Sequence, residues 1–181
     1  TYKLGYENFK LKAYYGDTLK VYYSHGNVLS VYNPKISEGL RKCFYIADEH
    51  KQYLEYGSTD TLRVFNVEDD QSTKLLSIKE TTSNQIYLGY KCKRIDLVLL
   101  RKIGNDTLRD HQTFIYSPQV LKINKNKFED FNFMSLNKIM SIAGTYYLYF
   151  ESNVEYLGKM KYEIVKIENK KLDPAIFKIN S

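Results

Sequence analysis

Apolar and polar residues alternate with a period of two over short segments along the whole chain: Tyr14 to Tyr23 broken at Gly16, Asn27 to Tyr32, Thr61 to Val67, Ile86 to Cys92, Ile95 to Leu100, Thr113 to Tyr116, Val120 to Ile123, Thr145 to Phe150 and Lys159 to Ile167. Successive side chains of an extended strand point to opposite faces, so this alternation marks half-buried strands. Turn-forming residues separate them at His25-Gly26-Asn27, Asn33-Pro34, Glu68 to Ser72, Gly104-Asn105-Asp106, Ser117-Pro118, Asn124 to Asn126 and Gly158. Short strands with turns every ~8 to 12 residues predict a mainly β protein, an antiparallel β-sandwich or barrel. Two stretches depart from the pattern. Leu40, Cys43, Phe44, Ala47 and Leu54 have helical spacing, but the same segment reads as a hairpin of Cys43 to Ile46 and Tyr53 to Tyr56, and the hairpin is the expectation. Leu136, Ile139, Met140 and Ala143, with Asp130 or Ser135 as cap and Gly144 as stop, predict one short helix near 135–143.

Composition strengthens the β reading. The 181 residues include 18 Tyr and 9 Phe, no Trp, and alanine only at positions 13, 47, 143 and 175. Ala is the best helix former and aromatics suit a pleated, half-buried surface, so the balance favours sheet. A net charge of +6 raises the question of a nucleic-acid footprint, which is a patch or stripe. Residues 1–95 carry fourteen basic and eleven acidic side chains, and residues 96–181 thirteen and ten, so each half holds +3. The even spread argues against nucleic acid as a partner.

No apolar run approaches the ~18 residues of a transmembrane helix. The chain starts at Thr1 rather than Met, which leads to the expectation of an exported protein (secreted, cell-surface or periplasmic), with a lipid anchor upstream of residue 1 compatible with it.

Asp-Thr-Leu followed by a basic residue occurs at Asp17, Asp60 and Asp106, each shortly after a glycine. The spacing is near that of propeller blades, yet a fourth copy is missing near Asn153, so the motif reads as turn chemistry in which Asp bonds nearby backbone.

The two cysteines, Cys43 and Cys92, lie far from C-x-x-C spacing. In an oxidising compartment they could form one disulfide closing a loop of about 50 residues, worth roughly 3 to 4 kcal/mol. Two buried free thiols are the equal alternative.

Gly16-Asp17-Thr18-Leu19-Lys20-Val21-Tyr22-Tyr23 resembles the entry to the second strand of an immunoglobulin-like sandwich. Leu76-Ser77-Ile78 leading to Gly89-Tyr90-Lys91-Cys92 resembles that family's fifth strand running to the Tyr-x-Cys of its sixth, and Ala143-Gly144-Thr145-Tyr146-Tyr147-Leu148 is similar to a second copy with Leu148 in place of Cys. The resemblance implies a β-sandwich, one or two tandem domains split as 1–95 and 96–181 against a single β domain 1–181, and a role in adhesion or recognition.

Candidate chemistry is sparse. The histidines are His25 in a turn, His50 in the acidic run Asp48-Glu49-His50, and His111 after Asp110. Asp48 and His50 could share a strand face, as could Glu68 and Asp70, making a surface cation site one reading and a solvated turn the other. No phosphate loop, G-x-S-x-G elbow or H-E-x-x-H is present. No catalytic set, cofactor or metal is therefore assigned. The tyrosines suit protein recognition and stacking on sugars. The expected function is a non-enzymatic extracellular or cell-surface module binding a protein or glycan, against a hydrolase whose site is assembled from residues distant in sequence.

Overall fold

A computed structural model describes residues 1–59 and 61–179. Eleven strands follow in chain order: β1 Tyr2–Tyr6, β2 Thr18–Ser24, β3 Asn27–Tyr32, β4 Leu40–Ile46, β5 Lys51–Tyr56, β6 Arg63–Asn66, β7 Thr73–Tyr87, β8 Tyr90–Ile103, β9 Asp106–Tyr116, β10 Tyr149–Val154 and β11 Gly158–Ile164. Two short helices, α1 Phe9–Tyr15 and α2 Leu136–Ala143, join them. No helix among the described residues is long and apolar enough to cross a membrane.

All eleven strands belong to one sheet in the order β6-β5-β4-β3-β2-β1-β11-β10-β9-β8-β7, every pair antiparallel. Two up-and-down runs, β1 to β6 and β7 to β11, meet where Tyr2 pairs with Ile164 and Tyr6 with Met160. The ladder is thus continuous where the sequence reading expected two facing sheets, and the 95/96 boundary falls inside β8.

The sheet is strongly curled. Laid flat, ten strand intervals would span about 48 Å, but β6 and β7 are consecutive and the seven Cα steps from Asn66 to Thr73 reach at most about 25 Å. Parity keeps it open: ten antiparallel steps leave β6 and β7 pointing the same way, so an odd ring of this kind cannot close with antiparallel pairing alone. A seam remains between these two edges.

The turn chemistry explains the tight hairpins. His25-Gly26 (φ 52° and 93°) and Leu88-Gly89 (φ 50° and 84°) place two left-handed residues between paired strands, the type I′ geometry whose twist matches a hairpin. The first was legible as a turn, whereas the second lay inside the expected Ile86 to Cys92 strand. Tyr14 and Tyr15, read as strand, instead end α1, which Asn8 caps by accepting from the Lys10 N–H at 2.9 Å and which stops at Gly16. Val120 to Ile123 contributes only one bridge, Lys122 with Thr145. The hairpin Cys43 to Ile46 with Tyr53 to Tyr56 is β4 and β5, and the expected helix is α2.

One face of the curled sheet meets the connection from β9 to β10, which folds back over it. Ile95, Leu97, Leu99, Phe114, Phe150, Tyr162 and Leu4 pack with Ile139 of α2. Near the seam Val28, Tyr45, Val67, Phe128, Phe131 and Met140 form a second cluster. The opposite face of β3 and β4 is covered too, because Phe177, with Leu172 and Ile176, packs on Leu29 and Phe44.

Candidate functional site

A cleft of about 640 Å³ opens between β1, β2, the segment 119–122 after β9, and the segment 166–172 that follows β11. Five tyrosines line it, the buried Tyr2 at its floor and Tyr22, Tyr23, Tyr90 and Tyr146 in its wall. Alternation on β2 sends Tyr22 and Tyr23 to opposite sides, and the cleft reaches both because β1 pairs with β2 only at Thr18 and Leu19, leaving the β1-side edge of residues 20–23 unpaired. Tyr23 is held in place by its hydroxyl, which accepts from the Asn124 N–H at 2.9 Å, and Tyr146 stacks on Tyr147 at 4.6 Å between centroids. Burial pushes the Tyr146 hydroxyl up to about 12, so it stays a neutral donor at physiological pH.

Charge in the cleft is one-sided. Lys20, Lys122, Lys166 and Lys170 line it with one carboxylate among the described residues, Glu168. Lys166 and Glu168 pair at 2.9 Å and cancel, leaving three exposed lysines. None of the three histidines lies in this lining.

A second polar feature is sealed inside. The register puts Leu99, Asp110 and Val154 in one row across β8, β9 and β10, and Leu97, Gln112 and Ser152 in the next. Asp110, with no exposed surface, accepts from Ser152 Oγ at 2.7 Å, Gln112 Nε2 at 2.8 Å and Arg101 Nη1 at 3.1 Å. A carboxyl group buried this completely needs a charged partner and further donors, and it has both. The group ties three neighbouring strands together.

The third feature lies at the seam. His50 ends the 3₁₀ turn Ala47–Glu49 in a left-handed conformation (φ 53°) between β4 and β5. Glu68 is in the β6–β7 connection and Asp130 in the segment before α2. His50 Nδ1 lies 3.1 Å from Glu68 Oε1 and 3.2 Å from Asp130 Oδ2. Hydrogen bonds fix the three segments: the backbone pairs Val67 N–H to His50 O at 3.1 Å and Asn132 N–H to Val67 O at 2.8 Å, and the Asn132 side-chain Nδ2 to Glu68 O at 2.5 Å. Sequence spacing had put His50 with Asp48 and Glu68 with Asp70. Asp48 instead pairs with Lys127 at 2.5 Å, while Asp70 bridges Thr73 of β7 to Met134. His25 occupies the β2–β3 turn, and His111 lies exposed on β9.

The cysteines are free thiols, Cys43 on β4 and Cys92 on β8, with six strands between them in the sheet order. Burial raises both thiols, Cys43 to about 12, so neither is a ready thiolate nucleophile. Of the three Asp-Thr-Leu turns, Asp17 accepts from Asn33 Nδ2 at 2.9 Å and Asp106 opens β9, while Asp60 falls outside the described residues.

No protein-family model, curated protein or solved structure matches this chain.

Proposed function

We propose that the protein is a non-enzymatic binding module, exported to the cell surface or beyond, whose ligand site is the cleft of Tyr22, Tyr23, Tyr90 and Tyr146, and that the ligand is an acidic glycan. The observation that carries this reading is the pairing of aromatic side chains with an uncompensated set of lysines in one cleft of about 640 Å³. That size lies in the range of small-ligand sites. Tyrosine offers a flat apolar body with a polar tip, which suits the faces and hydroxyls of a sugar ring. Lysine supplies a point charge for carboxylate or sulfate groups. A hydrolytic site would place a His or a pair of carboxylates against the substrate. Here the cleft wall holds Glu168, already paired with Lys166.

The test is titration of uronic-acid and sulfated oligosaccharides, with neutral oligosaccharides beside them, against wild type, Tyr90→Ala and Lys122→Glu. Each substitution is expected to weaken binding of the acidic sugars about tenfold, a change of ~1.4 kcal/mol. Raising salt weakens it further, because exposed charge pairs are screened. Equal binding by wild type and both variants, or no binding by wild type, removes the proposal. The exported setting is tested by the codons upstream of Thr1, where a signal segment is expected.

A further inference from the structure

We infer that His50, Glu68 and Asp130 form a binding site for a divalent transition-metal ion of the zinc type, and that the ion closes the seam of the sheet. This goes beyond the glycan-binding reading and does not depend on it.

The geometry comes first. In a zinc site with one imidazole and two carboxylates, ligand atoms sit ~2.0 to 2.2 Å from the metal, which places them about 3.3 to 3.5 Å from one another in a tetrahedron. Here Nδ1 lies 3.1 and 3.2 Å from the two carboxylate oxygens, and all three atoms fall within 4.8 Å of one another. Small side-chain rotations reach the tetrahedral edge.

The second observation is independent of the spacing. His50 Nδ1 is closed off from solvent and makes no hydrogen bond, although two carboxylates stand at hydrogen-bond range. Its in-plane bonding direction is therefore aimed at neither oxygen. An imidazolium bridging two carboxylates would point its N–H at one of them, whereas a nitrogen sharing a cation with them need not. The imidazole and both carboxylates are part-exposed, so the cluster lies at the surface and Nδ1 is covered only by its immediate neighbours.

The donor chemistry selects the class. Imidazole suits zinc, nickel and copper, while calcium and magnesium take oxygen ligands in larger number. The ligands are also held on one hydrogen-bonded frame, since backbone bonds join residue 50 to 67 and 67 to 132, and the Asn132 side chain bonds the carbonyl of residue 68. A cation there would link the β4–β5 turn, the β6–β7 connection and the segment before α2.

The experiment is thermal unfolding and equilibrium dialysis of the full chain with zinc, with calcium and magnesium alongside. The variants are His50→Asn, Asp130→Asn and, as a neighbouring control, Glu129→Gln. Asn tolerates the left-handed backbone at position 50, so the imidazole is removed without straining the turn. Wild type and Glu129→Gln are expected to bind one zinc per chain and to gain roughly 5 to 10 °C in Tm at a hundredfold excess over Kd. His50→Asn and Asp130→Asn, with unchanged circular dichroism, should lose the shift. The inference is overturned by an absent zinc shift in wild type, by a shift that survives in both ligand variants, or by calcium or magnesium matching zinc. An absent shift would leave His50 as a polar neighbour of the two carboxylates with no cation between them.

Discussion

Asp110 has lost contact with water altogether, and Ser152, Gln112 and Arg101 stand in for the solvent it left. Replacing it by Ala strips three donors of their acceptor and leaves the Arg101 charge unpaired at the margin of the core. Asp110→Ala is therefore expected to lower unfolding free energy by about 3 to 5 kcal/mol, measured by urea denaturation. A loss below 1 kcal/mol would mean that water or another acceptor reaches these donors. Little of this could be read locally. Asp110 looked like the neighbour of a candidate histidine, and only the β8–β9–β10 register shows that it faces inward while His111 faces out. His50 is similar: its two carboxylates lie 18 and 80 positions on in the chain, so no motif spacing joins them.

Elements whose packing repeats along the chain were the legible ones. The spacing of Leu136, Ile139, Met140 and Ala143 predicted α2, and Ile139 and Met140 are buried in the structure, with Gly144 ending the helix in a left-handed conformation. For α1 that signal is missing, because Phe9 is exposed and the helix rests on its Asn8 cap and on Tyr14 and Tyr15 packing against Tyr56, Tyr6 and Tyr32. The β6–β7 connection was recognised as a turn at Glu68 to Ser72, but its work as a strap was not. Asp70 there accepts from Ser72 N–H at 2.8 Å, from Met134 N–H at 3.0 Å and from the Thr73 hydroxyl. Burial pushes its carboxyl up, yet these donors outweigh it and the net value lies below the ordinary one. A depressed folded-state value adds stability that is complete above the unfolded value, near ~3.9, and fades as pH falls through the folded one. Asp70→Asn should cost roughly 1 to 2 kcal/mol at neutral pH. The gap to wild type should shrink below about pH 4 in urea titrations repeated across the acid range. A gap independent of pH would show that the carboxylate's charge is not what holds the strap.

At the scale of the whole molecule, alternation reveals which face a residue takes but not which strand lies beside it. Nothing in the local pattern announces that β1 pairs with β11, and that single pairing turns two runs of hairpins into one sheet. It also sets an order of events in time. Every other ladder among the named strands joins consecutive strands and can form early, whereas Tyr2 must find Ile164 across almost the full length of the polypeptide. β1 shares only two register pairs with β2 against five with β11, so it has little reason to settle before its distant partner is in place. The two halves should consequently assemble as separate apprentices to a last step in which this five-residue strand zips them together. Leu4→Ala is expected to cost about 2 to 4 kcal/mol and to appear in stopped-flow chevrons mainly as faster unfolding, with the refolding limb little moved.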